Sequence, residues 1–272
     1  MKKFCIVIPI YKETLDCIEE ISLKRLNDVI GDKNYDVFLV GPKSLDMSEY
    51  LKLYPNAKEK RFDNKFFKST KSYSRLCLSY QFYNIFSKYK YMIIYQLDCY
   101  LFSDDFESWC DKNYDYIGGA IISNNCGWDV SKNPRVGNGG FSLRKIETFK
   151  DICDPDGEFR TEYNITDEIL DHILWEDKFY CNDIINAYAI NIPDWKTSLS
   201  FALDMSVDVI YNFFGWKGTP MAIHAWDKNI RWWKNILPEL KNNNEVIEFC
   251  ENKHKEFFKV YYDENDSTLR LK

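Results

Sequence analysis

No stretch of the 272 residues approaches the roughly 20 apolar residues of a membrane-spanning helix. The nine cysteines form no C-x-x-C pair and no zinc-like spacing, which excludes the common structural zinc sites. There is no long block of Lys or Arg. With 36 basic and 42 acidic residues the net charge is −6, so nucleic acid is not an expected partner. The opening "MKKFCIVIPIYKETL" starts basic, but its apolar part is short, holds Pro9, and runs into Lys12 and Glu13 without a small-residue cleavage site. An export signal is therefore not expected. The thiols are expected to be reduced and mostly buried in a cytoplasmic protein, which makes the Asn164-Ile165-Thr166 sequon a chance match. The phosphate-loop spacing G-x-x-x-x-G-K-[ST] is missing, as are internal repeats and low-complexity linkers.

Aromatic residues are abundant: 19 Tyr, 19 Phe and 8 Trp, or 17% of the chain. Core packing accounts for most of them. Clefts that handle sugars also use aromatic faces against C–H surfaces, and composition leaves both uses open. The first 120 residues alternate. The runs 4–10, 35–42, 58–62, 91–97 and 114–120 read as strands. Helices are expected at Thr14–Ile30, near Met47–Leu53, at Ser72–Ser87 and at Asp104–Lys112. Such alternation predicts a mostly parallel α/β sheet with helices on its faces. In the second half, "GNGGFSLRK" (137–145) reads as a Gly-rich entry into a strand. The acidic stretch 151–171 reads as a loop or lid. Helices are expected at Trp175–Asn186 and at 228–262, broken near Pro238.

"YMIIYQLDCYLF" (91–102) ends a buried strand on Asp98. Burying a carboxylate without a partner costs several kcal/mol. In open α/β sheets, ligands sit beyond the carboxyl ends of the strands, which places Pro9–Glu13 and Asp98 on one rim. Asp98 suits a metal ion there, or a ribose and a diphosphate bridged by one, although for a lone Asp a helix cap or an ion pair is the ordinary role. The glycines of "GNGGFSLRK" let backbone approach a ligand, or form a simple bulge. The pair Glu176-Asp177 in "LWEDKFY" starts a helix, where acids also serve the helix dipole. His224 lies within the apolar run "TPMAIHAW", where a hydrogen-bonded core role is the ordinary one.

In that order these features resemble GT-A nucleotide-sugar-dependent glycosyltransferases. The runs "IYQLDCYLF", "DYIGGA", "VGNGGFSLRK", "EDKFY" and "HAW" look like a mainly bacterial family of proposed glycosyltransferases, long catalogued as a domain of unknown function. The likeness spans roughly residues 4–226. It implies a GT-A-like catalytic domain over 1–226 with a C-terminal helical extension, 227–272, packed on it. It also implies roles. Asp98 stands at the last acid of the "DxD" motif, beside metal and diphosphate, with Gln96 at the first. Pro9, Tyr11 and Glu13 lie along the nucleotide base. Asn138, Gly139 and Gly140 fall where sugar and acceptor approach. Asp177 matches the base of inverting members, with Glu176 as the alternate, and His224 completes the metal site with Asp98.

The implied reaction transfers a sugar from a nucleoside-diphosphate donor, a UDP-sugar first among them, to a glycan, lipid-linked or protein acceptor in surface polysaccharide or glycoconjugate synthesis. The implied cofactor is Mn²⁺ or Mg²⁺, which Gln96 in place of an acid puts in question. Adjacent helical residues point about 100° apart, so one of Glu176 and Asp177 faces the sugar. Asp177, on the face of Tyr180, Cys181 and Ile184, is the expected one. A sugar nucleotidyltransferase or a non-catalytic nucleotide- or carbohydrate-binding protein are the alternatives. "PIYKETLD" lacks the Gly-rich basic loop of the former. Ile230, Trp233, Leu237 and Leu240, with basic residues nearby, could rest on an anionic bilayer at the inner face of the membrane, or pack on the catalytic lobe.

Overall fold

The computed structural model describes residues 2–122, 135–205 and 207–261. Nine strands lie among them: β1 (Lys2–Pro9), β2 (Val37–Pro42), β3 (Lys58–Phe62), β4 (Tyr89–Tyr95), β5 (Tyr100–Leu101), β6 (Tyr116–Ile121), β7 (Arg135–Lys145), β8 (Ala202–Leu203) and β9 (Ala222–Ile223). Six form the main sheet in the order β3-β2-β1-β4-β7-β6. All pairs from β3 to β4 are parallel, and β7 alone runs against both its neighbours. Ile6 sits between Val37 and Ile93 in register, and Cys5–Ile8 are fully enclosed. A β-branched run covered on both faces by helices is what a central parallel strand requires. The mostly parallel α/β sheet is as expected.

Helix boundaries differ where side chains intervene. The first helix spans Cys17–Ile30 rather than starting at Thr14. Asp16 accepts from the Ile18 and Glu19 amides, while Glu19 accepts from that of Asp16, so the capping box sets the start. The expected helix 72–87 divides into Thr70–Cys77 and Tyr80–Asn84. The Ser79 hydroxyl donates to the Leu76 carbonyl at 2.6 Å, occupying the acceptor a continuous helix would use. The acidic stretch 151–171 is not a loop. It forms helices Glu158–Glu162 and Asp167–His172, with Asp167 and Asp171 tied to Arg75 at 2.8 and 2.6 Å.

Apolar residues of the main sheet and its helices form one large core. A second core joins Tyr100, Leu203, Ile210 and Ile223 to Ile230, Trp233, Leu237, Leu240, Val246 and Cys250 of the C-terminal segment. The apolar face that could have met a bilayer is therefore buried within the protein, which removes that reading. No helix of the described residues is long and apolar enough to cross a membrane. Residues 262–272 of the expected extension lie outside the described residues. The eight described cysteines are free thiols, seven of them buried.

Candidate active site

Local folding brings Asp98, Asp204 and His224 to one point. β8 runs parallel to β9, so the residues that follow each, Asp204 and His224, emerge side by side. β5 runs antiparallel to β9, which sets the start of β5 beside the end of β9. Asp98, two residues before β5, thus meets the same corner, and its carbonyl accepts from the Trp226 amide at 3.3 Å. The Gln96 amide donates to the Gly140 carbonyl at 2.9 Å, carrying the β4–β7 ladder one residue past the strand and fixing the turn that holds Asp98.

His224 is the hub. Its Nδ1 lies 2.9 Å from Asp204 Oδ1, while its Nε2 lies 3.2 Å from Asp98 Oδ1 and 3.3 Å from Gln96 Oε1. Burial opposes a charged imidazole, but the Asp98 carboxylate and the bond to Asp204 outweigh it and raise His224 to about 10. Burial likewise works to raise Asp98, yet the charge on His224 brings it down to about 2. The Asp98 Oδ1 atom is enclosed, with the His224 imidazole as its ion-pair partner. Asn138 braces the cluster from behind, donating to Asp204 Oδ2 at 3.1 Å and accepting from the Gly140 amide at 2.8 Å.

Among the described residues no group of three His, Cys, Asp or Glu side chains could hold a metal. Asp98 and His224 make a pair. Their fit to a divalent cation rests on Nε2 facing the Asp98 carboxylate while Asp204 occupies Nδ1, the arrangement a metal-bound histidine commonly has once a cation replaces the Nε2 proton. The donor set, one carboxylate and one imidazole, suits such an ion.

A break in β7 carries the second half of the site. Gly118 pairs with Ser142 but Gly119 with Asn138, so residues 139–141 loop out from β6. This frees the Gly139 amide to donate to Asp177 Oδ2 at 2.9 Å. A Cβ at Gly140 would lie 2.1 Å from His224 Nε2 and 2.8 Å from Gln96 Oε1, so only glycine fits. Asp177 is half-buried and is raised to about 7, by burial first and then by the charge of Glu176. Glu176 itself is turned inward. It meets the fully enclosed Arg144 at 2.9 Å and accepts from the Ser74 hydroxyl at 2.9 Å. The expectation that Asp177 is the inward acid is reversed: Glu176 takes the buried side because Arg144 and Ser74 claim it, and Asp177 faces the glycine turn. Arg144, 32 residues away, is what the helix pattern could not supply.

A cleft of about 480 Å³ opens beside the cluster. It is lined by Pro9 at the end of β1 with Ile10 and Tyr11 beyond it, by Gln96 and Asp98 after β4, and by Tyr50, Lys68–Thr70 and Tyr73. Tyr11 is 65% exposed at its edge. Lys253 enters from the C-terminal helix Asn244–Lys253.

A family model described as a protein of unknown function (DUF5672) matches residues 56–224. The chain belongs to the DUF5672 family. The match runs from β3 to His224 and takes in Gln96, Asp98, Asn138–Gly140, Glu176, Asp177 and Asp204. No curated protein sequence matches this DUF5672 member. Among solved structures, mouse xyloside xylosyltransferase 1 is similar at 12% identity over 82% of this chain and 97% of that one, with a TM-score of 0.53. Core-mannan synthase A from Aspergillus fumigatus, in an Mn/GDP form, shares 12% identity over 71% of each chain, at a TM-score of 0.47. The galactosyltransferase LgtC, with donor and acceptor sugar analogues, shares 10% over 91% and 95%, at 0.48. The likeness to the mouse enzyme is one of fold, and the fold of this DUF5672 protein is GT-A-like.

Of the residues singled out from sequence, Gln96, Asp98, Asn138, Gly140 and His224 form one contiguous cluster, and Gly139 joins it to Asp177. Pro9 and Tyr11 line the cleft. Glu13 is exposed and does not line it. Asp204 escaped sequence reasoning. Its signal was there in "FALD", an apolar run ending on an acid just as "IIYQLD" does. Lys253 had no local signal, since only the fold brings the C-terminal helix to the β1–β4 rim.

Proposed function

We propose that this protein is a glycosyltransferase that takes a nucleoside-diphosphate sugar, a UDP-sugar first among donors to try, and passes the sugar to a hydroxyl of a glycan, lipid-linked or protein acceptor with inversion. The observation that carries the reading is Asp177: a half-buried carboxylate raised to about 7, held on the Gly139 amide, one residue along the chain from the Gly140 that abuts Gln96 and His224. Consecutive Cα atoms are about 3.8 Å apart, so a base and an anion-handling cluster flank one dipeptide.

In this reading the nucleotide lies in the cleft with its base against Tyr11 and its diphosphate toward Asp98. Asp177 takes the proton of the acceptor hydroxyl as the new C–O bond forms on the sugar and the bond to the diphosphate breaks. A carboxylate raised to about 7 is a stronger base than an ordinary one, and about half of it is ionised at neutrality. Asp98 and His224 would hold a divalent cation, which supplies counter-charge to the departing diphosphate. Asp204 fixes the orientation of His224, and Asn138 ties Asp204 to the glycine turn.

Thermal-shift screening of nucleoside-diphosphate sugars with and without Mn²⁺, followed by donor hydrolysis and transfer assays, tests this. A ligand at a hundred times its Kd adds about 2.7 kcal/mol of stability, which a melting curve reads easily. Asp177→Asn should lower turnover roughly 10²-fold or more with donor affinity nearly unchanged. Binding without hydrolysis or transfer by the native chain would instead favour a non-catalytic nucleotide-binding protein. An undiminished rate in the Asp177→Asn variant would remove Asp177 as the base.

A further inference from the structure

We propose that the end of the main sheet opposite the cleft is a docking face for an anionic phospholipid bilayer, built on Lys2, Lys58, Lys60 and Lys88. The inference stands apart from the donor reading and uses none of the cleft residues. It also uses none of the apolar C-terminal face, which the second core covers.

Residues 51–97 hold ten Lys and Arg against two acids, in a chain of net charge −6. The fold gathers part of that excess at the starts of neighbouring strands. Lys2 opens β1, Lys58 opens β3, Lys88 immediately precedes β4, and Asp36 immediately precedes β2. Lys58 and Lys60 are two apart in β3 and share a face, while Glu59 on the other face is taken by Arg61 at 2.6 Å. The Nζ atoms of Lys58, Lys60 and Lys88 each lie 5.9 Å from the centroid of the Phe38 ring. No two of them are therefore more than about 12 Å apart, little beyond the screening length of about 8 Å in physiological salt. Buried Asp36 fixes the arrangement, accepting from Lys2, from Lys58, and from the Tyr89 hydroxyl at 2.7 Å. It offsets one of the four cations. Lys60 and Lys88 form no ion pair among the described residues.

Like charges gathered so closely repel, and anions laid over them relieve the repulsion. Lysines on an edge strand also keep sheets from pairing, which accounts for Lys58 and Lys60 on β3. Lys2 and Lys88 serve the inner strands β1 and β4, so edge protection does not explain them. The side chains of Lys2 and Lys58 are 60% and 54% exposed, and Lys88 is exposed as well, so the charges stand out from the surface rather than line a recess. Such a face suits the flat array of phosphates that lipid headgroups present better than one small enclosed anion. From Lys2 to Pro9 the chain takes seven strand steps of about 3.3 Å, so the cleft would open away from the bilayer, about 23 Å from it.

Flotation of the full chain with phosphatidylcholine vesicles, and with vesicles that add phosphatidylglycerol, tests this without any turnover. The chain should float with the anionic vesicles at low salt and stay behind with the neutral ones. It should be released at about 1 M salt, where the screening length is about 3 Å. Lys60→Gln and Lys88→Gln leave Asp36 and its partners in place. Each should weaken vesicle binding roughly 5-fold, or roughly 25-fold together, with an unchanged circular dichroism spectrum. Lys196→Gln with Lys234→Gln, the same charge lost from the C-terminal half of the chain, should float like the native protein. Four results overturn the proposal: no flotation with anionic vesicles at low salt, equal flotation with neutral ones, undiminished binding in the Lys60→Gln, Lys88→Gln double variant, or an equal loss in the Lys196→Gln, Lys234→Gln control.

Discussion

Replacing Glu176 by Gln removes one charge from the most enclosed ion pair among the described residues. Arg144 has no exposed surface, and its remaining donors go to the Tyr83 hydroxyl at 3.1 Å and the Ser142 hydroxyl at 3.2 Å, neither of which carries charge. Tyr116 offers its ring face at 5.5 Å, a weak substitute. Breaking a buried pair from one side costs about 3–5 kcal/mol. Gln keeps an acceptor oxygen near the guanidinium, so Glu176→Gln belongs at the low end, about 3 kcal/mol. For a chain of this size that corresponds to a melting point lower by about 6–12 °C. Urea unfolding followed by circular dichroism measures it. The control replaces both partners, Glu176→Leu with Arg144→Met. Because a well-packed apolar pair avoids the stranded charge, the double variant should recover most of the loss. A Glu176→Gln variant within about 1 kcal/mol of the native chain, or a double variant worse than the single one, would refute the account. The change should also reach Asp177, since the neighbouring charge helps hold it up. Its protonation should move to lower pH.

If Asp177 is the base, transfer should fall as pH drops below about 7, and the Asp177→Asn variant should lose that limb, as a pH–rate series would record. The stability linkage has the same origin. A carboxyl raised in the folded state favours folding below its ordinary range, and that contribution is lost as pH rises through about 7. Gly140→Ala should abolish nucleoside-diphosphate binding in calorimetry and cost about 1–3 kcal/mol of stability, because the new methyl would collide with His224. Asp204→Asn should weaken cation-dependent nucleotide binding roughly 10- to 100-fold while leaving the fold intact, since it removes the charge that orients His224.

The strands were legible because their cause is local: "FCIVIPI" and "YMIIY" are buried on both faces and declare it in β-branched and aromatic residues. Asp98 was legible for the same reason, as a charge at the end of such a run. What sequence could not supply was pairing at a distance. Arg144 claims Glu176, Arg75 claims Asp167 and Asp171, and Asp204 claims His224. In each case a reading of neighbours sees a free charge where the fold has a partner. The division of the helix at Ser79 is an intermediate case, because the residue responsible is in the sequence but its hydroxyl has several uses there.

The order β3-β2-β1-β4 puts the first nine residues in the middle of the sheet rather than at its edge. A recombinant fragment starting near residue 56 would keep β3, β4, β6 and β7 but lose the two strands between β3 and β4. The bare flank of β4, "YKYMIIY", would then present unpaired amides on an aromatic, β-branched strand, a template for edge-to-edge association between chains. Such a fragment is expected to precipitate or co-purify with chaperones, even though it contains Asp98, Asp177 and His224. Soluble expression therefore depends on the N-terminal 50 or so residues as much as on any residue of the cleft.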